Sequence, residues 1–167
     1  MRRWCPVTFA LALALLAGCG EDDAVQSPGV GSRLPGATPG TGGDDLPRAI
    51  ARFDLDEDSV RVGGDEVTAT YREASGATVR FRLLTFDSPA AASAALDRMA
   101  ADRRAAGFLA QDEQVAESGG RLVVMSRSPG PEPRPPDFSY IWTDGNLLAS
   151  TAGVGEAPGR LYNAFDR

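Results

Sequence analysis

Between Val67 and Leu83 the chain alternates. Val67, Ala69 and Tyr71 are interleaved with Thr68, Thr70 and Arg72; after Glu73-Ala74-Ser75-Gly76, Val79, Phe81 and Leu83 are interleaved with Arg80 and Arg82. A period of two puts apolar side chains on one face of a strand and polar ones on the other. Two such runs about a glycine-bearing turn predict an antiparallel hairpin. Leu84 and Phe86 make the second face apolar near the strand end, which is expected to lie under a helix or loop.

Ser88-Pro89 opens the clearest helix. A serine side chain accepts from an early backbone N–H, and proline at the first helical position loses no needed donor. Alanine-rich sequence continues to Ala106, and Gly107 suits a left-handed C-terminal residue. Ala92, Ala95, Leu96, Met99 and Ala106 fall on one stripe. Arg103 sits inside it, read as a stem packed on apolar surface with its head in water rather than as a ligand-binding arginine.

Leu122 to Met125 reads as a buried strand. Five prolines between Pro129 and Pro136 exclude a sheet interior and predict an exposed spacer. Phe138, Tyr140 and Trp142 share one face of the next strand, which turns at Asp144-Gly145 and returns through Asn146 to Thr151. Leu161, Tyr162 and Phe165 predict a short terminal helix. The expected fold class is α+β: an antiparallel sheet of about five strands, with one long helix and a short C-terminal helix packed on one face. One such domain spans 46–167.

The N-terminus has a different character. Arg2 and Arg3 precede an apolar run from Val7 to Ala17 that only Thr8 interrupts, the layout of a secretory signal peptide over residues 1–18. About 11 residues at 1.5 Å rise reach some 16 Å, about half the roughly 30 Å of a bilayer core. Leu16-Ala17-Gly18-Cys19 resembles the lipobox of bacterial lipoproteins. The resemblance implies cleavage before Cys19, a diacylglycerol on its thiol and a further acyl chain such as palmitate on its amine. Each buried methylene contributes about 0.8 kcal/mol, so two or three chains anchor the protein without a span. Gly20 stands where the family places Asp for inner-membrane retention. An outer-membrane, periplasm-facing site is therefore implied in a two-membrane cell, and the outer face of the cell membrane otherwise. Residues 19–45 carry seven glycines and three prolines from Gly20 onward and no aromatic residue, which predicts a disordered tether of roughly 25 to 30 Å reach. From Val67 to Phe165 the run of Tyr71, Ser88-Pro89 and Trp142 to Gly145 resembles small uncharacterised bacterial lipoprotein domains, a likeness that carries no catalytic residue over.

Composition removes much chemistry. Seventeen basic residues, all arginine, face 23 acidic ones for a net charge of −6; with Arg2 and Arg3 gone, 15 against 23 leaves −8. Such a chain repels phosphate backbones, so no nucleic-acid partner is expected. Without histidine or lysine there is no Ser-His-Asp site, histidine-held metal, Schiff base or Walker-type loop. Cys5 leaves with the leader and Cys19 is committed to lipid, so no disulfide is expected.

Carboxylates remain. Asp54, Asp56 and Asp58, with Asp65 at the twelfth position, echo the spacing of a calcium loop, but Ser59 replaces the turn glycine and Asp65 the bidentate Glu. The run reads as a solvated acidic loop and only weakly as a metal site. The Phe138, Tyr140 and Trp142 face reads as core before it reads as a recognition surface. No catalytic residue and no cofactor are expected. The sequence points to a lipid-anchored extracytoplasmic module that binds or scaffolds at the cell envelope, its partners the membrane through Cys19 and an envelope protein or glycan. The alternative is a carboxylate-dependent hydrolase acting on envelope glycans.

Overall fold

The computed structural model describes residues 46–131 and 133–165. The leader, Cys19 and the tether lie outside the described residues. Among the described residues no helix is long and apolar enough to cross a membrane. In chain order the elements are β1 (Ala49–Ile50), β2 (Phe53–Gly63), β3 (Glu66–Glu73), β4 (Thr78–Thr85), α1 (Pro89–Ala105), β5 (Leu109–Val115), β6 (Arg121–Arg127), β7 (Asp137–Asp144), β8 (Leu147–Val154) and α2 (Ala157–Phe165).

All eight strands join one sheet in the order β1-β2-β3-β4-β8-β7-β6-β5, and each neighbouring pair is antiparallel. The expected five strands are too few. The three that the sequence pattern misses, β1, β2 and β5, form the two ends of the sheet. An end strand has little apolar area to bury, so its pattern is weak. In β5 only Gln114 is half-buried and the other residues are exposed. In β2 the acidic run Asp54 to Asp58 is strand, not loop. It pairs with β3 up to Asp56↔Thr70 and resumes at Arg61↔Thr68, so residues 57–60 bulge from the ladder.

The helices lie on opposite faces, not on one. Phe81, Leu122, Trp142, Leu147 and Ala149 face α2, whose Leu161, Tyr162 and Phe165 complete that core. Val123, Met125, Ile141 and Leu148 face α1 and meet Ala95, Leu96 and Ala100. The alternation itself explains this: β6, β7 and β8 present apolar residues at successive positions, so both faces need cover. The aromatic core is continuous. Phe165 stacks on Phe81 at 4.9 Å between ring centres, Tyr162 meets Trp142 edge-on at 5.0 Å, and Tyr140 stacks on Tyr162 at 5.5 Å.

The local signals near α1 operate as physics requires. Ser88 Oγ accepts from Ala91 N–H at 3.2 Å, Pro89 opens the helix, and Gly107 after it has φ 84°. Ala92, Ala95, Leu96 and Ala100 are buried while Ala106 is exposed. β7 continues through Asp144, so the two-residue turn is Gly145-Asn146, with Gly145 at φ 57°. Asn146 then clips the entrance to α1: its backbone C=O accepts from Phe86 N–H at 2.9 Å and its Nδ2 donates to Phe86 C=O at 2.8 Å.

Helix α1 covers the β5 to β8 half of its face. β3 and β4 are apolar mainly on the face towards α2; on the other face only Leu84, with Phe86 after the strand, packs into the α1 cluster, as the sequence pattern predicts, and little else there calls for a helix. There Thr68, Thr70, Arg80 and Arg82 remain, beside the flank of α1.

Candidate functional site

The uncovered half-face and the flank of α1 enclose a cleft. Register sets its floor: Thr68, Arg82 and Ser150 form one row across β3, β4 and β8, and Thr70, Arg80 and Ala152 form the next. Arg103 on α1 faces these rows, and Ser59 comes in from the β2 bulge to close a cavity of about 260 Å³. Ser59 is held by two bonds, its Oγ accepting from Thr70 N–H at 2.7 Å and donating to Asp56 C=O at 2.6 Å.

A second cavity of about 450 Å³ adjoins the first. The two share Arg80, Arg103 and Ala152, and the second adds Phe108, Arg127, Arg134 and Asp137. Five arginines thus line one continuous depression in a chain of net charge −6.

These arginines are not equally neutralised. Arg82 donates two hydrogen bonds to the Glu66 carboxylate, at 2.7 and 3.1 Å. Arg127 donates twice to Asp137 at 3.2 and 2.6 Å, and Arg134 reaches the same carboxylate at 3.5 Å. Hydrogen bonding from Arg127 holds the Asp137 carboxyl below its usual range against the opposing effect of burial, helped by the charges of Arg134, Arg127 and Arg80. Arg80 and Arg103 have no acidic partner within salt-bridge distance among the described residues. Burial, then repulsion from Arg80, Arg127 and Arg82, pulls the Arg103 guanidinium below its ordinary pKa. It stays charged, its environment opposing that charge. Partial relief comes from Phe108, whose ring centre lies 5.4 Å from Arg103 Cζ and 4.9 Å from Arg127 Cζ.

Guanidiniums without acidic partners are chemically able to receive an anion, since carboxylate or phosphate oxygens accept from the planar fork and offset the repulsion. A glycosidase cleft places two carboxylates about the bond to be broken. Among the described residues the lining of the first cavity includes no carboxylate and that of the second includes Asp137, held by two arginines.

No protein family, curated protein or solved structure matches this chain.

The residues singled out from sequence fare differently. Asp54, Asp56 and Asp58 lie along β2 and Asp65 lies in the turn before β3. Asp56 is engaged by Arg72 at 2.6 and 3.1 Å, and among the described residues no three acidic side chains converge as a cation site requires. Tyr140 and Trp142 pack against α2, and Phe138 borders the second cavity. Cys19 lies outside the described residues. Arg103, read as a snorkelling stem, has its head in the cleft. The cleft was missed as a unit because Arg80 and Arg103 come to line one cavity only through the packing of α1 on β7 and β8, next to β4 in the sheet. One signal did exist: Arg80 and Arg82 are the polar face of the hairpin, and Arg103 breaks the apolar stripe of α1.

Proposed function

We propose that this protein is a non-catalytic binding module, held at an extracytoplasmic bilayer surface through a lipidated Cys19, that takes an anionic ligand in the arginine cleft between α1 and β4. In a two-membrane cell the surface is the outer membrane facing the periplasm. One observation carries the binding assignment: Arg80 and Arg103 converge without a carboxylate partner in a cavity of about 260 Å³. Arg103 is half-buried beside the like charge of Arg80, and an external anion supplies the opposite charge that offsets this repulsion. The anchor rests on Leu16-Ala17-Gly18-Cys19 and the apolar run before it.

Two measurements on the full chain, extracted from membranes in detergent, test this. Intact mass should exceed that of the polypeptide from Cys19 onward by a diacylglycerol and an acyl chain; an unmodified mass overturns the anchor. Sulfate at constant ionic strength should raise the melting temperature of the wild-type chain and not of an Arg80→Gln, Arg103→Gln double variant. Equal shifts in both overturn the binding site.

A further inference from the structure

The cleft mixes two chemistries. Arg103 faces the floor from α1, and on that floor the arginine row of β4 is flanked by hydroxyls, those of Thr68 and Thr70 on β3 and that of Ser150 on β8. None of the three side chains makes a hydrogen bond among the described residues. Ser150 is 4% exposed, so its hydroxyl is offered only to what enters the cavity. A site for a bare anion needs guanidiniums and no such array. A site for a long polyanion needs a positive track, but Glu66 and Asp137 already neutralise Arg82 and Arg127 at the two flanks. The free positive charge is confined to the centre, beside the hydroxyls.

Resting on the anion-binding reading above, we infer that the ligand is a sugar unit bearing one acidic group, the acid held by Arg80 and Arg103 and the ring hydroxyls by Thr68, Thr70 and Ser150. Small hydroxyl side chains both donate and accept, as a polyhydroxylated ring requires. Ala152, in the row of Thr70 and Arg80, keeps that end of the floor low enough for a ring to approach. The acid is a carboxylate on a uronic acid or a phosphate on a sugar phosphate. The guanidinium fork accommodates both.

The test is calorimetric titration of the full chain in detergent with glucuronate, glucose 6-phosphate, glucose, acetate and inorganic phosphate. At least one acidic sugar should bind roughly tenfold tighter than acetate or phosphate, the gain expected of one or two added hydrogen bonds, and neutral glucose should bind no better than background. Whichever of glucuronate and glucose 6-phosphate binds tighter identifies the acid. A Thr68→Val, Ser150→Ala double variant should lose that tenfold gain and keep its affinity for the simple anion, whereas Arg80→Gln should lose both. If acetate or phosphate binds as tightly as the acidic sugars, the sugar assignment is overturned and the anion site stands. If no anion binds, both fall.

Discussion

Glu73 at the end of β3 and Arg160 on α2, 87 residues apart in sequence, form a paired contact of 3.1 and 2.9 Å. The Glu73 side chain is only 3% exposed, and Arg160 is 34% exposed. Ser75 Oγ donates to the same carboxylate at 2.5 Å, and Arg52 lies 3.4 Å away. The contact ties the β3–β4 turn to the last helix, closing the α2 face at its corner.

Hydrogen bonds from Arg160 and Ser75, then the charges of Arg160 and Arg52, lower the Glu73 pKa against the cost of burial. A lowered folded-state pKa contributes stability that is fully present above the unfolded carboxylate value, about 4.3, and is lost as pH falls through the folded one. Glu73→Gln should therefore cost about 2 kcal/mol at pH 7, a gap to the wild type that narrows below about pH 4. Denaturant unfolding of both proteins across pH 3 to 8 checks this; a gap constant with pH would mean that the carboxylate charge contributes nothing.

Gly159 lets α2 approach β7. A Cβ there would lie 2.5 Å from Tyr140 Oη and 2.8 Å from its Cζ, so the Tyr140 ring, stacked on Tyr162, would have to shift. Gly159→Ala should destabilise by about 1 to 3 kcal/mol despite alanine's better helix propensity. In a Tyr140→Leu background the same substitution should cost less, a coupling that a double-mutant cycle reads directly.

The cleft should behave oppositely to the core. Arg80 is exposed and its charge opposes that of Arg103. Arg80→Gln should leave the ligand-free protein equally stable or raise its stability by a few tenths of a kcal/mol in low salt, with the difference fading above about 0.3 M salt as screening takes over. A melting series in sodium chloride suffices; a marked loss of stability would show that Arg80 has a structural partner.

Calcium should do little. With Asp56 committed to Arg72 and Asp65 in a separate turn, millimolar calcium should leave the melting temperature unchanged within about a degree. A large stabilisation abolished by Asp56→Ala would reinstate the acidic run as a metal loop.

Local, repetitive chemistry was legible in the residues themselves. Alternation over Val67 to Arg72 marks β3, Ser88-Pro89 starts α1, and Gly145 marks the tight return from β7 to β8, because each is set by neighbours a few positions away. Strands β1, β2 and β5 were not legible: β5 is almost wholly exposed, and in β1 and β2 the few core residues, Ile50, Phe53 and Leu55, are set among charged ones rather than in a clean alternation.

By itself the sequence determined the β3–β4 and β7–β8 hairpins, the start of α1 and the exclusion of histidine and lysine chemistry, since periodicity, capping and residue inventory do not depend on what lies across the fold. Only tertiary structure decided that the helices take opposite faces and that Arg80 and Arg103 line one cavity. The physical reason is the double-sided apolar character of β6, β7 and β8, which draws α1 over one half of its face and leaves the arginine row of β4 uncovered beside it.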